Sequence, residues 1–487
     1  MQHIQTTNAF RAMGRLALLA ALCGVGASVG AQEFLPQGGV RASSGAYASV
    51  LGLDANAYAY SMGGTWWGLA ASAQPGFDAS KRFAELWLHP RWHATYDLGS
   101  GAQLYGSLSM GLTKDIGTNA FDLRGQSDAQ LENGFVGLRG QWGDGWKYAL
   151  SAGRQSFVLG TGMLLYAGSA NGAEWGNAAS AKRMAWKRTA VLRIERGPWY
   201  GQVFHLEPNE LDSARSNTRL QGASLEWKSD PQGKWGVAFL HVPESDFVYP
   251  GDLAPLSFLE KGRQGLKVYH GWGEWNNLVP SLPGLSVRGD FALERGAVTR
   301  LSGERSAMDA HAFYVGASQW FQTLPFAPKL SYGYGYFSGD DRNTSKYERF
   351  DPLYWGNGLD NWWFGANGSY AFINSNVRFQ RFTLDGYLSQ RDILKLQYVR
   401  SYAARTNSPI QFGQAVRFPV DGFLPAVGVD RAHLASEWML QYVHLFTPTL
   451  VFSAYVSRSV PGEGLRRLAG SQSRSWTAVG AGVSYSF

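Results

Sequence analysis

The sequence predicts an all-β protein: a single transmembrane antiparallel β-barrel with long extracellular loops, in a chain of 487 residues. Three observations carry that prediction. Segment after segment of about ten residues is apolar on one parity and polar on the other, as in strands between lipid and a wet lumen. The chain closes on Phe487, at the end of a strand whose apolar parity stays in step to its last residue. No stretch beyond the N-terminal segment is apolar for long enough to form a membrane helix. A membrane-spanning reading therefore requires a closed barrel, which alone satisfies every backbone group without helices. At about 25 residues per strand and connection, the length corresponds to roughly 16 to 20 strands, about 18 being favoured.

Composition agrees. There are 60 Gly and 14% aromatic residues but only 17% charged ones, which suits a Gly-rich sheet with aromatic girdles. Lys and Arg number 44 against 37 Asp and Glu, an excess spread along the chain, so no nucleic-acid partner is expected. No Pro/Ser-rich linker divides the chain.

Taken in order, residues 1–31 read as a secretory signal, leaving residues 32–487 as the barrel domain. Arg11 and Arg15 make the charged region, Leu16 to Cys23 the apolar core, and Val29-Gly30-Ala31 the small-residue cleavage site. Cys23 is the only cysteine and lies inside this signal, which excludes disulfides from the mature chain. The predicted destination is the bacterial outer membrane, with its lipid as the surrounding partner.

Phe34 to Val50 is a lead-in or a first strand, and Ala57 to Ala71 an aromatic stretch. Phe83 to Tyr96 places Leu86, Leu88, Trp92 and Tyr96 opposite Glu85, His89, Arg91 and His93. After Gly99-Ser100-Gly101, Leu104, Leu108, Met110 and Leu112 alternate with Gln103, Tyr105, Ser107 and Ser109. Val136, Leu138 and Trp142 oppose Asn133, Phe135 and Arg139, and Ala190, Leu192 and Ile194 oppose Lys187, Thr189, Arg193 and Glu195. Ala223, Leu225 and Trp227 oppose Ser224, Glu226 and Lys228. Alternation is clearest in Leu285 to Glu294, where Leu285, Val287, Phe291 and Leu293 face away from Arg288, Asp290 and Glu294. Leu330, Tyr332, Tyr334 and Tyr336 follow, then Leu394, Leu396 and Tyr398 opposite Lys395 and Gln397. Thr447-Pro448-Thr449 turns the chain between two late strands. In Ser475 to Phe487, Val479, Ala481, Val483, Tyr485 and Phe487 share the lipid parity. This ending resembles the C-terminal strand by which the barrel assembly machinery recognises outer-membrane barrels, making Phe487 its expected point of contact. Two segments, Trp235 to Val242 and His311 to Trp320, are apolar on both parities.

Two long loops stand apart: Leu159 to Ala181, rich in Gly, Ala and Asn, and Ser338 to Gly368, which carries Asp340, Asp341, Glu348, Asp351 and Asp360. Gly153-Arg154-Gln155 with Gly160-Thr161-Gly162-Met163-Leu164-Leu165 resembles the strand-end motif of alginate-export-type outer-membrane proteins. Ser338-Gly339-Asp340-Asp341 with Glu348 and Phe350-Asp351-Pro352-Leu353-Tyr354 resembles that family's long-loop motif. The resemblance covers about a tenth of the chain. It implies a monomeric barrel of about eighteen strands with a basic lumen that passes an acidic polysaccharide, with periplasmic export partners.

By parity the lumen row comprises Arg91, Arg139, Lys187, Arg193, Lys228, Lys267, Arg288 and Lys395, interleaved with Glu85, Glu195, Glu226, Asp290 and Glu294. Rings of Arg and Lys select anions, whereas mixed rows also hold a barrel wall together through ion pairs. Arg154 shares parity with Trp146, Tyr148 and Leu150, so either a bulge at Gly153 re-aims it or it stands above the membrane. Catalysis is not expected: the His residues lie on separate strands without a Gly-x-Ser-x-Gly motif. No cofactor is expected. Asp340 and Asp341 offer oxygens suited to Ca²⁺, but a solvated acidic loop is the commoner explanation for such a pair. The expected function is a passive channel for an anionic polysaccharide or sugar-like anion. The alternatives are a general or small-solute diffusion porin and a plugged barrel acting as an enzyme or surface-binding protein.

Overall fold

The computed structural model describes residues 39–487 except 66–77, 169–171, 177–182, 213–214, 230, 251–257, 260–261, 300–302, 357–361, 363, 411–426 and 470–473. The signal expected over residues 1–31 lies outside the described residues.

Eighteen long strands form one closed antiparallel barrel. They are β1 (Tyr47–Gly63), β2 (Lys81–Gly99), β3 (Ala102–Gly117), β4 (Ser127–Trp142), β5 (Trp146–Ser156) and β6 (Ala185–Arg196). Next come β7 (Trp199–Glu207), β8 (Arg219–Ser229), β9 (Gly233–Glu244), β10 (Lys267–Asn276), β11 (Leu285–Thr299) and β12 (Arg305–Trp320). The last six are β13 (Lys329–Phe337), β14 (Val377–Tyr387), β15 (Asp392–Ala403), β16 (His433–Thr447), β17 (Leu450–Pro461) and β18 (Trp476–Ser486). Each pairs with its neighbour in sequence, and β1 closes on β18 from Asp54↔Ser486 to Gly63↔Thr477. The amides of Leu53 and Phe487 each donate to the other's carbonyl at 2.9 Å. The lead segment Val40–Ser44 folds back on β1 and continues the seam where β18 ends. Closure leaves no unpaired edge in the spanning region, which is what makes a sheet tolerable in hydrocarbon.

The parity expected from the sequence is the parity observed on the strands assigned there, with the exception of β10. Leu86, Leu88, Trp92, Val136, Leu225, Phe291, Leu396, Val479 and Val483 are all exposed on the outer wall. An apolar wall of this extent is stable only against lipid. Trp142 and Trp146 stack 6.1 Å apart at one rim, and Trp199 and Trp235 meet edge-on at 5.6 Å, forming an aromatic girdle there. Turns at that rim are short. At the opposite rim, the extracellular one by this asymmetry, long connections fold inward.

Those loops explain the two segments that are apolar on both parities. In β9, Val237 and Phe239 face out, while Ala238, Leu240 and Val242 face in and are buried. In β12, Val315 faces out, while Ala310, Ala312 and Tyr314 are buried inside. The inner faces are apolar because loop residues such as Leu164, Leu165, Phe350 and Trp362 join them in one interior cluster. The upper lumen is thus a packed core and the lower lumen a polar one.

Candidate functional site: a constriction in the lumen

The β5–β6 and β13–β14 connections enter the barrel and pair with each other. Tyr354 donates its amide to the Leu164 carbonyl at 2.9 Å and accepts from the Tyr166 amide at 2.8 Å. Gly356 donates to the Gly162 carbonyl at 2.9 Å, and Leu165 and Tyr354 form a parallel bridge. The two loop motifs singled out in the sequence are therefore one structural unit. It docks on the wall through Thr161, whose hydroxyl donates to Asp290 Oδ1 at 2.5 Å. Asp290 also meets His270 Nε2 at 3.1 Å. Gly160 has φ of 55° and lies flat on Trp272, where a Cβ would stand 2.7 Å from the indole. Trp362 donates its indole N–H to the Thr161 carbonyl at 3.2 Å.

Asp351 fastens this unit. Arg263, from the β9–β10 connection, binds it in bidentate fashion, with Nε to Oδ2 at 2.7 Å and Nη2 to Oδ1 at 2.8 Å. The Tyr249 hydroxyl adds a bond to Oδ2 at 2.7 Å, and the Asp351 amide donates to Glu294 Oε2 on β11 at 2.8 Å. Burial would raise the Asp351 carboxyl, but the Arg263 guanidinium and these hydrogen bonds hold it below the usual carboxylate range. Two charges with fork-matched geometry and satisfied lone pairs are the arrangement in which a buried pair is tolerable.

Beneath the docked loops lies the arrangement with most chemical consequence. Arg288 on β11 and Arg381 on β14 both donate to the Tyr314 hydroxyl, at 3.2 and 3.3 Å. The strands between them supply Gly316 and Gly333 in the same row, as the register Arg288↔Gly316↔Gly333↔Arg381 shows. The glycines make the room: a Cβ on Gly316 would stand 2.8 Å from the Tyr314 oxygen, and one on Gly333 would collide with it. The Tyr314 ring packs edge-on against Trp362 at 5.3 Å. Two guanidiniums thus bracket one phenol against the docked loops, with Tyr314 and Arg381 buried and Arg288 half-buried. Sequence reading found Arg288 but missed Arg381. Its signal was the inward parity of Val377, Phe379, Arg381, Thr383 and Asp385, obscured because aromatics occupy both parities, Phe379 and Tyr387 on this one and Phe382 on the other.

The remaining residues of the basic row face inward but do not form one cluster. Arg91 pairs with Asp54 and donates to the Phe487 carbonyl at 3.0 Å, close to the seam. His89 bridges Asp54 and Ser109 at 3.2 and 2.9 Å, a wall-stitching role. Arg139 donates twice to Gln103 Oε1, at 3.1 and 2.9 Å. Lys187 and Arg193 are half-buried on the inner face of β6. Lys228 pairs with Glu226 at 2.9 Å and Lys395 with Asp385 at 3.9 Å. Arg91 and Arg288 stand across the barrel from each other, on β2 and β11.

Three expectations need correction or resolution. Lys267 faces outward, in parity with the exposed Tyr269; the inner face of β10 carries Val268, His270 and Trp272 instead. Both parities of this strand are apolar, which hid the assignment. The Ser338–Gly368 loop is not a solvated acidic loop: Asp340 and Asp351 are buried, and Asp340 accepts the Glu348 amide at 2.7 Å. Asp341 is the more exposed one, capping Asn343 and facing Arg405 at 3.5 Å. At Gly153 (φ 130°) the β5–β6 register slips, so the bulge reading of Arg154 holds. Its guanidinium turns to Gln130 and Asn209, both at 3.3 Å. Among the described residues, no three His, Cys, Asp or Glu side chains gather as a metal site.

No family model matches the chain, and no curated protein matches it either. Solved structures do. OprD of Pseudomonas aeruginosa aligns with a TM-score of 0.53 at 10% identity, over 90% of this chain and 93% of that one. OpdQ of the same organism gives 0.52 at 10%, over 90% and 98%. OccK2 (OpdF), also from P. aeruginosa, gives 0.51 at 11%, over 90% and 97%, and has been solved in complex with glucuronate as well. The motif resemblance to alginate-export proteins is thus not matched by a family model, and the specific assignment to that family is not upheld. The chain has the fold of OprD- and Occ-type outer-membrane porins: an eighteen-stranded integral barrel with an apolar wall for lipid.

Proposed function

We propose that this protein is a passive outer-membrane channel for small anionic solutes, carboxylates foremost. The observation that carries the reading is the convergence of Arg288 and Arg381 on the Tyr314 hydroxyl beside Trp362, where the docked loops meet the lumen wall. A guanidinium keeps its charge at every physiological pH and presents a fork that fits a carboxylate. Two of them in the lumen wall favour entry of anions; Arg288, half-buried, is the one that meets solute, while the buried Tyr314 holds it in place and the buried Arg381 adds to the positive field. The glucuronate complex of OccK2 is a carboxylated sugar held by a barrel of the same fold, and it supports this solute class. The inserted loops favour a small solute over a polysaccharide, and ion pairs such as Arg91–Asp54 and Lys228–Glu226 leave much of the basic row neutralised. Movement would be downhill.

The test is single-channel recording with glucuronate, glucose and oligouronates added in turn. Concentration-dependent block by glucuronate but not glucose, abolished in an Arg288→Ala/Arg381→Ala variant, is the expected result. Equal passage of both sugars would instead indicate a general diffusion porin. Block by oligouronates alone would restore the polysaccharide-export reading, and a silent folded barrel would indicate a plug.

A further inference from the structure

The outer wall carries a second site, independent of the channel reading. On β6–β12 three outward-facing cations near the extracellular rim meet acids: Arg188 with Glu207 at 3.2 Å, Arg219 with Glu244 at 2.8 Å, Arg295 with Asp309 at 2.8 Å. Arg82, Lys114, Lys267 and Arg305 stand one to a strand without an ion pair among the described residues, whereas in the β14–β17 sector three such cations cluster. Arg378, Arg400 and Arg458 all lie on the lipid parity near the tops of their strands, Arg400 and Arg458 exposed. None of the three has a carboxylate partner among the described residues. Arg378 and Arg400 flank the Tyr402 ring, 5.0 and 5.3 Å from its centroid. Arg378 Nε is buried and lacks a hydrogen-bond acceptor among the described residues.

Below this cluster an apolar groove of about 490 Å³ runs along the lipid-facing wall, from Leu285, Gln319 and Leu330 near the short-turn rim up to Phe382, Tyr398 and Trp438. The registers join the two features. Phe382, Tyr398, Trp438 and Arg458 lie in one row; Gln380 and Arg400 lie one outward step above it, and Arg378 and Tyr402 one step higher. The wall therefore presents an acyl-sized apolar trough ending at the headgroup level in three guanidiniums.

We propose that this sector is a specific binding site for a phosphorylated, multiply acylated glycolipid of the outer leaflet. An acyl chain would lie in the groove and the phosphates against Arg400, Arg458 and Arg378. Guanidinium forks bind phosphate oxygens in bidentate fashion, and three of them exceed the need of one phosphodiester. The extracellular rim is the level of the outer leaflet's headgroups, which selects the glycolipid over a periplasmic-leaflet phospholipid.

The test uses the full chain purified in detergent and titrated with a bis-phosphorylated lipid A, its dephosphorylated form, and phosphatidylglycerol, with bound lipid counted by native mass spectrometry. Lipid A should bind at least tenfold more tightly to the wild type than to Arg400→Glu/Arg458→Glu, and the dephosphorylated form should lose the same tenfold. Channel currents should be unchanged, because these residues face away from the lumen. Equal lipid A binding by both proteins, or phosphatidylglycerol binding as tightly as lipid A, would overturn the proposal. If the double glutamate variant fails to assemble, Arg400→Gln/Arg458→Gln carries the same comparison.

Discussion

Replacing Asp351 by Asn is the sharpest perturbation of the inserted loops. The change is nearly isosteric, so the bond from the Leu353 amide to Oδ1 can persist. What goes is the negative charge facing Arg263, whose side chain is 4% exposed and held by two bonds of 2.7 and 2.8 Å. Stranding one member of a buried pair costs about 3–5 kcal/mol. At about 1.4 kcal/mol per decade, that shifts the docked–undocked balance of the loop by roughly two to three and a half decades toward release. No barrel strand loses a ladder bond, so the barrel should still resist unfolding by unheated detergent. The expected signature is fast protease cleavage within residues 338–376, together with larger and noisier single-channel currents. A compensating Arg263→Met/Asp351→Leu pair should restore most of the quiet state, because a well-packed apolar pair can replace a buried ionic one. The sign of the pH dependence follows from the depressed Asp351 carboxyl. Its contribution to docking is complete above the ordinary carboxylate range of about 3.9 and is lost only as pH falls through the lower docked value. Wild-type currents should therefore be steady from neutral pH to about pH 4 as far as this pair is concerned. Wild-type protease resistance and conductance in Asp351→Asn would refute the assignment of Asp351 as the fastening point.

Three further outcomes follow from the same geometry. Thr161→Val removes the donor to Asp290 and should weaken docking by about 1–3 kcal/mol, read as faster proteolysis near residue 161 with the barrel intact. Gly333→Val places methyls where the Tyr314 hydroxyl lies; conductance and the anion preference should both change, while Gly386→Val, whose nearest atom is 3.9 Å away, should leave them alone. Lys395→Met removes a cation already paired with Asp385, so ion selectivity should move far less than in Arg288→Met, measured under the same salt gradient.

The barrel was legible because lipid and lumen impose opposite demands on successive residues. Leu285 to Glu294 and Ser475 to Phe487 needed nothing beyond period two to assign both faces. Legibility failed where a third phase, the packed loops, meets the wall. There the inner face is apolar too, and β9, β10 and β12 lose their alternation; Lys267 was misassigned for that reason. The loop motifs were visible as unusual segments, but the ladder between Leu164 and Tyr354 joins residues 190 apart in sequence, and no local pattern encodes it. Arg381 was hidden by aromatics on both parities of its strand. Arg288 was recognised, but its convergence with Arg381 depends on Gly316 and Gly333 falling in one row, which requires the register of four strands.

The most direct measurement is the reversal potential of the purified channel in a planar bilayer under a tenfold KCl gradient, for the wild type and for Arg288→Glu/Arg381→Glu. A constriction governed by the Arg288–Tyr314–Arg381 bracket should give the wild type a clear anion preference and the variant a loss or reversal of it. A wild type without anion preference, or a variant with an unchanged potential, would contradict the assignment of that bracket as the selecting element.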